Sequence, residues 1–99
     1  MSENKRIVSP TMCGWPDDEH GTYHVEIELP GVEKDTIKLR MHEDSFFISG
    51  ESEAIRYVGS YALCCPILPD KADAKYKEGL LTIDVPFKTH FESVNVPIE

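Results

Sequence analysis

Long hydrophobic runs are missing from this sequence. A membrane-spanning helix needs about 20 consecutive apolar residues, and every apolar stretch here ends well short of that. Nor does the charged start, residues 1–9, contain the apolar segment of a secretory leader. Positive charge is scarce as well. Ten Lys and Arg face 18 Asp and Glu, for a net charge of −8. Nucleic-acid binders draw their affinity largely from basic residues that neutralise phosphates, and anionic membranes attract the same residues. Both partner classes are therefore excluded, and the acidic excess reads as solubility through self-repulsion. Cysteine is limited to Cys13, Cys64 and Cys65, an odd number that suits a reducing, cytoplasmic location better than a disulfide framework. There is no Gly-rich phosphate loop, no nucleophile in a recognisable motif and no convincing pair of catalytic carboxylates, so no catalytic residue and no cofactor are expected.

What is present is alternation. In residues 22–29 the apolar Tyr23, Val25, Ile27 and Leu29 are interleaved with His24, Glu26 and Glu28, the period-two pattern of a strand buried on one face. Residues 36–42 repeat it, with Ile37, Leu39 and Met41 against Lys38, Arg40 and His42. Glu43-Asp44 then links tightly to 45–51, where Phe46, Phe47 and Ile48 supply bulk, as in a hairpin. A short polar loop at 51–56 precedes the long apolar segment 57–68, and a short strand is expected at 74–76. The last strand, 80–85, puts Leu81, Ile83 and Val85 on one face before Pro86 closes it. No window carries helical periodicity. A single all-β domain within the 99 residues follows, a sandwich or a barrel. Residues 1–19 lack any sustained period and read as an N-terminal arm, 20–88 as the domain and 89–99 as a tail.

Three segments taken together resemble the small heat-shock protein family, which carries the alpha-crystallin domain. Tyr23 to Val32, containing Leu29-Pro30-Gly31-Val32 and followed by Glu33-Lys34-Asp35, is similar to that family's entry strand and turn. Phe47-Ile48-Ser49-Gly50-Glu51 falls where the family has a comparable strand end. Ala74 to Leu81, with Gly79-Leu80-Leu81 running on to Val85-Pro86, looks like the family's signature. Gly79 fits the tight turn because glycine takes positive φ without a steric cost. The resemblance implies an immunoglobulin-like antiparallel β-sandwich. It departs from the family at 61–66, which lacks the usual Arg, and at the short stretch 52–57, where many members carry a long exchanged strand.

The resemblance also implies surfaces. A receiving groove is expected between Ile37, Leu39 and Met41 on one side and Tyr76 on the other, although ordinary core packing explains the same residues. In the tail, Val94, Val96 and Ile98 present aliphatics two apart, the spacing with which an extended segment fills alternate pockets on a neighbour. Packing on its own domain is the alternative. If copies dimerise, Tyr57, Gly59, Tyr61 and Leu63 are expected along a sheet edge that pairs with itself by two-fold symmetry. Met12 and Trp15 suit either a partner contact or a cover over the end of the sandwich.

His20, His24, His42 and His90 show no recognised ligand spacing, so they read as solvated and no metal is expected. Cys64 and Cys65, as strand neighbours, would point to opposite faces and serve as buried structural thiols. The activity implied is ATP-independent holding of apolar segments of unfolding client proteins by a homodimer or larger homo-oligomer. A monomeric CS-domain-like adaptor for one specific protein partner is the alternative.

Overall fold

The computed structural model describes residues 5–17, 21–88 and 95–99. Its strands are β1 (Arg6–Val8), β2 (Met12–Asp17), β3 (Thr22–Glu28), β4 (Lys38–His42), β5 (Ser45–Glu51), β6 (Ile55–Ala62), β7 (Asp73–Lys77) and β8 (Leu80–Pro86). They form two four-stranded sheets, ordered β1-β6-β5-β4 and β2-β3-β8-β7. Short 3-10 turns at Lys34–Thr36 and Pro69–Lys71 lie on the two later crossings between sheets. Pairing is antiparallel throughout, except that β1 runs parallel to β6. The expected antiparallel β-sandwich is the architecture found.

Alternation explains where the core sits. Val25 and Ile27 of β3, with Leu81, Ile83 and Val85 of β8, point between the sheets toward Phe46 and Ile48 of β5 and Tyr57 of β6, and all are buried. Removing such a side chain from water stabilises the fold by about 1.5–3 kcal/mol. Register follows from the same pattern: Val25 faces Ile83 and Ile27 faces Leu81. A slip of one residue would turn the whole set to solvent. The β7–β8 link has only two central residues, Glu78 and Gly79, at φ 51° and 82°. Positive φ at both is what a type I′ hairpin turn requires. Gly79 is the residue expected at this turn; Glu78 was not expected there, and it adopts a conformation that costs an L-residue free energy.

Three expectations are corrected. The stretch read as an unpatterned arm contributes a strand to each sheet. Gly14 and Pro16 disguise β2, but β2 is an edge strand paired only with β3, and an edge tolerates proline. The polar loop at 51–56 is shorter than expected, because β6 already begins at Ile55 and Ser52 closes the turn by bonding both ways with the Ile55 backbone. Cys64 and Cys65 do not lie in a strand. β6 ends at Ala62, and the two thiols converge in a bend with sulfurs 2.7 Å apart, Cys64 exposed and Cys65 half-buried.

Candidate functional site

β4 and β7 each stand at one end of their sheet, opposite β1 and β2, and their outer backbone groups have no strand partner among the described residues. An unpaired strand edge can accept another extended chain. The expected groove residues sit on or beside these edges. Ile37, Leu39, Met41 and Tyr76 are all half-buried and pack against the main core cluster. Between them lies Val32. Its carbonyl accepts a hydrogen bond from the Tyr76 hydroxyl at 2.9 Å, and the Leu29 carbonyl lies at 2.7 Å from the same hydroxyl. Val32 and Ile37 also close over Gly50, where an added Cβ would meet them at 2.9 and 3.4 Å. Glycine is therefore required at position 50 for these side chains to come so close. Tyr76 acts first as a clamp that ties β7 to the β3–β4 connection, a role invisible in the sequence because its partners are 44 and 47 residues away.

Charge guards the same edges. Lys38 and Arg40 on β4, and Lys75 and Lys77 on β7, are exposed, although the protein is acidic overall. Basic residues on an open edge discourage unspecific pairing with other strands. In the tail, Val96 and Ile98 are 76% and 96% exposed, so this part of the tail is not packed on its own sandwich. Val94 lies outside the described residues.

The expected self-pairing edge is altered. β1 pairs with Ile55, Arg56 and Tyr57, so β6 is not the outermost strand there. Tyr57 points into the core at 8% exposure. Gly59 lies mid-strand opposite Ile48. Tyr61 stacks on Phe46 at 5.2 Å, and its hydroxyl donates to the Pro10 carbonyl at 3.1 Å; burial raises its pKa. Leu63 has left the strand, with its N–H bonded to Asp44. The physical reason is that residues 6–8 run alongside Ile55–Tyr57 and take up their outer backbone partners, while Val58–Ala62 has no strand on that side among the described residues.

A third arrangement went unread. On the outer face of the second sheet, His24 Nδ1 lies 2.6 Å from Asp84 Oδ1 and Nε2 lies 3.0 Å from Glu26 Oε2. Trp15 packs on the ring with centroids 4.8 Å apart. Trp15, His24 and Asp84, with Pro16, Asp17 and Thr22, border an open cleft of about 400 Å³. The hydrogen bond to Asp84, then that to Glu26, raises the His24 pKa against the opposing effect of burial. His24 was expected to be a solvated histidine. Cross-strand register could have suggested otherwise, since Trp15, His24 and Asp84 form one row. Because both ring nitrogens face carboxylates, the arrangement suits an imidazolium. Among the described residues no three His, Cys, Asp or Glu side chains converge as metal ligands; His20 and His90 lie outside them.

Two antiparallel-dominated sheets of this order, packed face to face over an apolar core, define an immunoglobulin-like sandwich of the alpha-crystallin type. The family described as Hsp20/alpha crystallin matches residues 16–99. A small heat shock protein, C4, of Rickettsia felis is 30% identical over 112 aligned positions, covering 96% of this chain and 67% of that one. Heat shock protein 16.0 from Schizosaccharomyces pombe superposes with a TM-score of 0.74 at 21% identity, covering 93% of this chain and 99% of that one. A mutant of hsp14.1 from Sulfolobus solfataricus gives 0.74 at 23% identity, covering 87% and 81%. The chain belongs to the Hsp20/alpha crystallin family, the small heat-shock proteins, and with it to a family of chaperones.

Proposed function

We propose that this protein is an ATP-independent holding chaperone that takes up extended apolar segments of unfolding proteins at its open sheet edges, without catalytic turnover. One observation carries the reading: β4 and β7 are unpartnered edges backed by half-buried Ile37, Leu39, Met41 and Tyr76. An incoming strand would gain backbone hydrogen bonds from the edge and apolar contact from these side chains. Copies of the chain would associate through the tail, with Val96 and Ile98 of one copy occupying such an edge on another. Their near-complete exposure supports this, because two aliphatics left in water gain by burial. The acidic Glu99 beside them suits a rim of Lys38, Arg40, Lys75 and Lys77. A reducing compartment such as the cytoplasm suits three free cysteines.

A second reading, a monomeric adaptor for one protein partner, is favoured by a different observation. β1 covers part of β6, and residues 52–54 leave no length for an exchanged strand. Light scattering with an aggregation assay separates the two. Assemblies larger than a dimer, together with suppressed aggregation of a heat-unfolding client in the absence of ATP, support the holding chaperone. A concentration-independent monomer that leaves client aggregation unchanged overturns it in favour of the adaptor. In the holding chaperone, replacing Val96 and Ile98 by Asp should reduce the assembly to smaller species.

A further inference from the structure

We infer that Cys64 and Cys65 form a vicinal dithiol that a peroxide converts reversibly to an intramolecular disulfide. The inference rests on how the chain crosses the end of the sandwich after β6. Leu63 N–H bonds to the Asp44 carbonyl at 2.8 Å, and Ile67 N–H bonds to the Glu43 carbonyl at 2.9 Å. Lys88 N–H bonds to the Pro66 carbonyl at 2.9 Å, and Ile67 is fully buried and bridged to Phe87. The arc is thus fastened at Leu63 and again from Pro66 onward, leaving the two cysteines at its crest. In a strand they would diverge. The bend instead brings their sulfurs to 2.7 Å, with Cys64 exposed. Solvent access and a resolving cysteine alongside are two of the features of oxidation-sensitive thiols, and this pair has both.

The chemistry balances with a peroxide as the oxidant. The exposed Cys64 sulfur attacks the O–O bond; an S–O bond forms, the O–O bond breaks, and one oxygen leaves as water. Cys64 is now a sulfenic acid, oxidised by two electrons. Cys65 sulfur then attacks Cys64 sulfur; the S–S bond forms, the S–O bond breaks, and the departing hydroxide takes the Cys65 proton to give a second water. Cys65 holds that proton firmly beforehand, because its hydrogen bond with Cys64, then burial, raises its pKa. Adjacent residues have Cα atoms about 3.8 Å apart, closer than the roughly 4.4–6.8 Å that disulfides usually span. The closed ring is therefore strained, and strained exposed disulfides are the readily reduced ones.

Cys13 provides the competing product. It is the third free cysteine and, like Cys64, is exposed. The test treats the reduced full-length chain with a stoichiometric amount of hydrogen peroxide, alkylates the remaining thiols and digests with trypsin without reduction. Cleavage after Arg56 and Lys71 keeps Cys64 and Cys65 in fragment 57–71, apart from Cys13 in fragment 7–34. The expected result is fragment 57–71 lighter by two hydrogens and unalkylated, Cys13 fully alkylated, and both sites recovered after dithiothreitol. With Cys65→Ser, the Cys64 sulfenic acid should persist and be trapped by dimedone. Cross-linking of 57–71 to 7–34, disulfide-linked dimers, or oxygen addition to 57–71 without loss of two hydrogens would each overturn the inference. The principal readout uses the native sequence, so it does not depend on any variant folding.

Discussion

The two ends of the strand order solve the edge problem differently. β4 alternates half-buried Leu39 and Met41 with exposed Lys38, Arg40 and His42, β7 half-buries Tyr76 between exposed Lys75 and Lys77, and both leave their outer backbone open. β1 and β2 have little alternation, bury little, and serve mainly to cover β6 and β3. The lesson is that a strand can be recruited for its side chains or for its backbone, and only the first kind leaves a periodic trace. Open edges with apolar backing are suited to binding. Edges closed by a local strand are suited to restraint.

Breaking the core beneath both kinds of edge should have the largest effect. Leu81→Ala removes a side chain that is 4% exposed and should cost about 2–5 kcal/mol, read as a lower denaturant midpoint. Trp15→Ala on β2, 45% exposed, should cost far less; equal losses would show that β2 is as much a part of the core as β8. Next in size, deletion of residues 1–10 should bare the whole outer side of β6. The expected outcome is stronger, concentration-dependent self-association in sedimentation, with a cooperative melt retained. If association does not change, β1 is not what blocks this edge.

The turn that joins β7 to β8 gives a smaller effect of opposite sign. Glu78 sits at φ 51°, where Gly or Asn is easier to accommodate. Glu78→Gly or Glu78→Asn should raise stability by about 1 kcal/mol or less, visible as a higher melting temperature. A drop would mean that the Glu78 side chain supplies a compensating contact.

The smallest effect sharpens the role of β2. The folded-state pKa of His24 is raised by Asp84 and Glu26. Its contribution is therefore fully present below the unfolded value of about 6.5 and is lost as pH rises through the higher folded value. His24 is mostly covered but Asp84 is 53% exposed, so solvent screening keeps the gain within the ~1 kcal/mol typical of surface pairs. Melting curves from pH 6 to pH 8 should show a decline that His24→Gln abolishes. An unchanged slope in that variant would remove His24 as the cause.

Val25 and Ile27, then Leu81, Ile83 and Val85, announced their strands and core face in the sequence, because burial on one face of a pleated strand demands apolar residues at every second position. Gly79 likewise announced its turn, since positive φ is a local property of the chain. Ile37, Leu39, Met41 and Tyr76 could be proposed as edge residues only with the help of family resemblance, because core and groove residues obey the same alternation. Tertiary structure alone decided the rest. β1 and β2 became strands because β6 and β3 offered unpaired backbone, which no side-chain pattern records. His24 met Asp84 across 60 residues of sequence, and Tyr76 met Val32 across 44. Cys64 and Cys65 turned toward each other because backbone bonds to Glu43, Asp44 and Lys88 bent the chain there. Local periodicity encodes which face of a strand is buried, whereas the partner an edge or polar side chain finds depends on which distant segments the packed sheets bring alongside it.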